Sequence, residues 1–221
     1  MTQGTITMTK FELISEEAMM KRTLGLMMFA CISVSTALAG YSDGYITAGE
    51  YEGHVRWTNS NQPLIVDGGG ASALEMRNYS QLEVRSTSTP LGLLVGGIQY
   101  IGLKNNSHLD YYSGETFNLI LYDNATADLY GGRIDIISNY QYQYTETKHV
   151  NIYALPGWSW ISNDPLDGIQ GQWWDGSQFR IEFDNDTLWG SDPVWMNINV
   201  IVPEPATLLL MTLGCFLIRK Y

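Results

Sequence analysis

Apolar and polar positions alternate through much of this chain, and four eleven-residue windows repeat one alternation without a gap. They are LEMRNYSQLEV from Leu74, IGLKNNSHLDY from Ile101, LILYDNATADL from Leu119 and YQYTETKHVNI from Tyr142. Positions one, three and eleven are apolar or aromatic throughout, and position nine is Leu82, Leu109, Ala127 and Val150. A period of two places such residues on one face of a strand. Position five is Asn78, Asn105, Asp123 and Glu146, mostly residues that tolerate unusual backbone angles and bond their own backbone in turns. Each window therefore predicts a strand, a polar corner and a second strand. Position seven is Ser80, Ser107, Ala125 and then Lys148, which predicts that the fourth window is a last, partly exposed rung.

Recurrence at spacings of 27, 18 and 23 residues, with variable insertions, predicts an all-β chain folded as a right-handed parallel β-solenoid (β-helix) over 40–157. A β-sandwich of the carbohydrate-binding type is the alternative. Glycines at Gly68–Gly70, Gly96-Gly97 and Gly131-Gly132 punctuate the segments. Residues 158–202 differ in character, holding six of the seven tryptophans: Trp158, Trp160, Trp173, Trp174, Trp189 and Trp195. Asp175-Gly176 between two alternating runs predicts a type I′ hairpin, and 196–200 reads as a final strand. A Trp-rich antiparallel cap would cover the open solenoid edge, which otherwise invites aggregation.

The two ends have a different pattern. Met20-Lys21-Arg22, an apolar run over 24–34 and Ala37-Leu38-Ala39 before Gly40 describe a secretory signal peptide over 20–39. Glu12, Glu16 and Glu17 do not suit the front of such a segment, so 1–19 is expected to be a non-native extension. At the other end, Val202 leads into Pro203-Glu204-Pro205, an apolar run over 206–218, then Arg219 and Lys220. Thirteen residues make a helix of roughly 20 Å, short of a hydrocarbon core near 30 Å, so the segment inserts only shallowly or transiently. The basic pair would stay on the cytoplasmic side.

This order of motif, apolar run and basic stop over 203–221 resembles the PEP-CTERM sorting signal of bacterial exosortase substrates. The resemblance implies export, with the exosortase and secretion machinery as partners, and delivery to the cell envelope, outer surface or extracellular matrix. Exported proteins of this kind are also similar in carrying runs of the N-S-x-L-x-V type ahead of the tail, which agrees with the solenoid expectation.

Between the labels, residues 40–202 carry 19 acidic and 7 basic side chains, a net of −12. That charge argues against nucleic acid as a partner. Both cysteines, Cys31 and Cys215, fall in the terminal segments, so the core must hold the domain together without disulfides.

Three features are candidates for function. Trp173 and Trp174 are out of phase, so one of them should face outward, either as cap filler or as a sugar-stacking surface. Position ten is Glu83, Asp110 and Asp128, a ladder that must splay into solvent, protonate or take up a cation such as Ca²⁺. No resident cofactor is expected. Catalysis has no nucleophile motif or metal-ligand spacing behind it, and His54, His108 and His149 are scattered. The expected role is structural or adhesive among exopolysaccharide, with a carbohydrate-binding module or a polysaccharide-active β-helix enzyme as alternatives.

Overall fold

The computed structural model describes residues 44–58, 61–88, 97–140, 148–162, 166–185 and 193–204. The signal-peptide residues Ala37, Ala39 and Gly40, and the tail residues Pro205, Arg219 and Lys220, lie outside them. The described chain is all-β, with one short 3-10 turn at Val194–Asn197. Its strands are β1 (Tyr45–Thr47), β2 (Tyr51–Trp57), β3 (Leu64–Met76), β4 (Gln81–Thr87), β5 (Ile98–Leu103), β6 (His108–Tyr111) and β7 (Glu115–Tyr122). They continue as β8 (Thr126–Leu129), β9 (Arg133–Tyr140), β10 (His149–Tyr153), β11 (Ser159–Ile161), β12 (Gly168–Gln172), β13 (Gln178–Asp184) and β14 (Ile198–Ile201).

These strands form one curled, mixed sheet in two rows that share β3. The first row runs β1, the start of β3, β4, β6, β8, β10 and β14, all parallel. The second runs β2, the end of β3, β5, β7, β9 and β13, again parallel, and then turns antiparallel through β12 and β11. The chain alternates between the rows from β4 to β10, so each pass adds one strand to each. Buried residues of both rows join in one hydrophobic cluster.

The repeat windows supply the inward positions. Leu74, Ile101, Leu119 and Ile137 are register partners along the second row. Leu82, Leu109, Ala127, Val150 and Ile198 are partners along the first. The corners between them turn at Asn78, Asn105 and Asp123, each with φ near +60°.

Three expectations are corrected here. In the second row the partner of Leu119 is Ile137, not Tyr142, and Tyr142 lies outside the described residues. A gapless alignment cannot register extra residues between Tyr140 and Lys148. Lys148 is buried rather than partly exposed, its Nζ donating to the Tyr140 carbonyl at 2.9 Å. Gly68–Gly70 do not end a segment; they lie inside the thirteen-residue β3, where the pairing with β4 slips and Gly68 takes φ +81°. That positive φ bends one strand from the first row into the second.

Candidate functional site

The outward face of the first row carries side chains in straight columns, because parallel in-register strands repeat each position near 4.8 Å. One column is Glu83, Asp110, Asp128, Asn151 and Asn199, all register partners. The predicted acidic ladder is thus in register, but its charges are met by neighbours. Glu83 takes Arg85 Nε at 2.8 Å and so leaves the ladder. Asp128 accepts from Asn151 Nδ2 at 2.6 Å, and Asn151 in turn from Asn199 at 3.0 Å.

His108, two residues before Asp110, brings its Nε2 to 3.5 Å from Asp110 Oδ1 and 3.7 Å from Asp128 Oδ2. Its Nδ1 lies 2.7 Å from Thr126 Oγ1. His108, Asp110 and Asp128 are the one described group of three whose possible ligand atoms all lie within 4.8 Å of one another. Sequence reading expected Glu83 here and missed the imidazole. The signal was present: His108 and Thr126 share position eight of adjacent windows.

Beside the carboxylates runs an aromatic column. Tyr112 stacks on Tyr130 with centroids 4.9 Å apart, and Tyr130 on Tyr153 at 4.4 Å. Trp174 closes the row edge-on against Tyr153 at 5.2 Å. Rings stacked along the row spend most of their faces on one another, so sugar-stacking surface is left chiefly at the ends. Burial first, then the hydrogen bond with Tyr153 and the Asp128 charge, push the Tyr130 hydroxyl well above its ordinary range. It stays a neutral phenol.

Trp173 and Trp174 do face opposite ways, Trp173 at 0% exposure and Trp174 at 38%. Trp173 cannot take a sugar: its ring packs on Phe179 at 4.4 Å and its Nε1 donates to the Gly132 carbonyl at 2.9 Å. The hairpin is not type I′, because only Gly176 has positive φ. Gly176 N–H donates to the Trp173 carbonyl at 2.9 Å, and Trp173 N–H to the Ser177 carbonyl at 2.9 Å. This closes a three-residue loop with glycine in the left-handed position. The strand expected over 196–200 begins at Ile198, after the 3-10 turn.

Where the hairpin splays from the start of β9, an open cleft of about 660 Å³ forms. Arg133, Arg180, Gln170, Gln178 and Ser159 line it, with Phe179 as an apolar wall. Both guanidiniums also face a carboxylate, Arg133 at 2.8 Å from Asp135 and Arg180 at 3.7 Å from Glu182. Such a lining offers several donors and little net charge.

On the second row, Glu75 gathers a cluster that sequence reading did not find. Lys104 Nζ and Arg77 Nη2 each lie 2.7 Å from Oε1, and Arg56 Nε 2.9 Å from Oε2. His54 stands 3.6 Å away. Burial pushes this carboxyl up, but the Lys104, Arg77 and Arg56 hydrogen bonds outweigh it and hold it at about 2. The cluster spans three adjacent strands and reads as a structural clamp.

Of the tail motif, Val202, Pro203 and Glu204 are described and follow β14 directly. Among the described residues, no helix is long and apolar enough to cross a membrane. No family model, curated protein or solved structure matches the chain.

Proposed function

We propose that this is an exported, non-enzymatic protein of the bacterial cell envelope or extracellular matrix, sorted by its PEP-CTERM-like tail and structural or adhesive among exopolysaccharide. One observation carries the reading: β14 pairs in the first row up to Ile201, and Val202-Pro203-Glu204 leave it at once. Among the described residues strand pairing ends just before the motif, which suits a removable label. Expression in an exosortase-bearing bacterium, followed by intact-mass measurement, tests this. The exported protein should lack the tail, and a Pro203→Ala, Pro205→Ala variant should keep it. A tail kept by both proteins, or lost from both, would overturn the sorting reading.

The architecture is read as a right-handed parallel β-solenoid with a Trp-rich antiparallel cap. In support, eleven of the thirteen strand pairings between described strands are parallel, whereas a sandwich of the alternative kind would be built from antiparallel sheets. The hand follows the general preference of parallel crossovers.

The cleft favours a second reading, carbohydrate binding. Amides, guanidiniums and an aromatic wall suit a hydroxyl-rich ring. A glycan-array screen of the purified protein should give binding that Arg180→Ala weakens. Loss through Trp174→Ala alone would move the site to the end of the tyrosine row.

A further inference from the structure

We propose that His108, Asp110 and Asp128 form a binding site for a first-row divalent metal ion of the zinc type. The inference is independent of the sorting and glycan readings. It replaces the all-carboxylate calcium ladder with a mixed nitrogen and oxygen site.

Geometry is the first support. Ligands about 2.1 Å from a tetrahedral zinc lie about 3.4 Å from one another. The separations from His108 Nε2, 3.5 Å to Asp110 Oδ1 and 3.7 Å to Asp128 Oδ2, need little closure to reach that value.

Orientation is the second. The atoms that would not bind metal have partners of their own: His108 Nδ1 meets Thr126 Oγ1, and Asp128 Oδ1 accepts from Asn151. Outer contacts of this kind fix the ring and the carboxylate and leave Nε2 and Oδ2 directed at the shared point.

The donor set is the third. Calcium takes six to eight oxygens, whereas one imidazole with two carboxylates suits zinc, manganese and their neighbours. All three side chains are part-exposed, so an ion can enter and solvent can complete its coordination. Glu83, one rung away, is held by Arg85 and adds no ligand.

The test is calorimetric titration of the purified full chain with ZnCl₂, with CaCl₂ as competitor. One saturable zinc site is expected. His108→Asn should weaken it at least tenfold, and Thr126→Val, which removes an orienting contact and no ligand, by about tenfold or more. His149→Ala, further along the same face, should leave it unchanged.

A second measurement needs no variant. In the imidazole ¹H–¹⁵N spectrum of the wild-type protein, zinc should shift the His108 resonances and leave those of His54 and His149. Absence of saturable zinc binding would overturn the proposal and leave the trio an ion-pair cluster around the histidine. Undiminished affinity in a folded His108→Asn protein, displacement of zinc by equimolar calcium, or an unmoved His108 resonance would overturn it as well.

Discussion

The backbone N–H of Asn105 donates to Oδ2 of Asp123, eighteen residues on at the next corner, at 2.9 Å. The same contact recurs one corner earlier, where Asn78 N–H donates to Asn105 Oδ1 at 3.2 Å. Backbone bonds continue through the corner as well, from Asn106 N–H to the Asn78 carbonyl and from Asn124 N–H to the Asn105 carbonyl. The corner residues thus serve two ends: they take a positive φ that closes the bend, and their side chains tie one corner to the next.

Asn105→Ala should therefore lose both. A left-handed conformation costs an alanine about 1–2 kcal/mol, and the lost hydrogen bonds add about 1 kcal/mol. Asn105→Gly restores the φ but not the side-chain bonds. Urea denaturation should rank wild type above glycine and glycine above alanine; alanine equal to wild type would contradict the corner's role.

Glu75 sets a pH dependence. Its carboxyl is held at about 2 against an ordinary 4.5, so it contributes stability above pH 4.5 that is lost as pH falls through about 2. The contribution at neutral pH is about 3 kcal/mol at most. Glu75→Gln also leaves Arg56, Arg77 and Lys104 without their shared anion. The two proteins should differ most at neutral pH and converge near pH 2 in denaturant titrations. A gap that persists at pH 2 would assign the loss to packing.

Ser80 and Ser107 share position seven and are both fully buried, yet only one hydroxyl has a partner. Ser80 Oγ accepts from Arg77 N–H at 3.0 Å, while Ser107 Oγ has none among the described residues. Ser80→Ala should cost about 1 kcal/mol, and Ser107→Ala should be neutral or stabilising by up to about 1 kcal/mol. Ala125 already holds this position in the next window. Thermal midpoints of the two variants should move in opposite directions or by clearly unequal amounts.

Trp173 joins the antiparallel end to the parallel rows through its bond to Gly132. Trp173→Ala should cost about 3–5 kcal/mol through lost burial and the cavity left behind. Trp173→Phe keeps much of the ring and loses the bond, so its cost should be smaller. Trp174→Ala, on the outward face, should alter stability far less; equal losses at the two positions in urea denaturation would place both in the core.

What was legible in the sequence was local. The alternation in the windows marked Leu74, Leu82, Ile101 and Leu109 as inward, because side-chain direction along a strand has a period of two. Asn78, Asn105 and Asp123 identified the corners, because few other residues take a left-handed φ cheaply. The column of Glu83, Asp110 and Asp128 followed from matching positions once each rung was assumed to repeat.

By itself, then, the sequence determined an all-β chain with turns at Asn78, Asn105 and Asp123, an acidic middle without cysteines, and two ends unlike it. Tertiary structure alone decided which partner each polar group meets. Parity says that one of Trp173 and Trp174 points outward, but only the Gly132 carbonyl and Phe179 decide that it is Trp174. Glu75 with Lys104, and His108 with Asp128, come from different windows, and their meeting depends on loop lengths that shift every later residue. The offset between Tyr142 and Ile137 shows the reason: periodicity is a property of a short segment, whereas contact is a property of how far each return loop carries the chain before the next strand pairs.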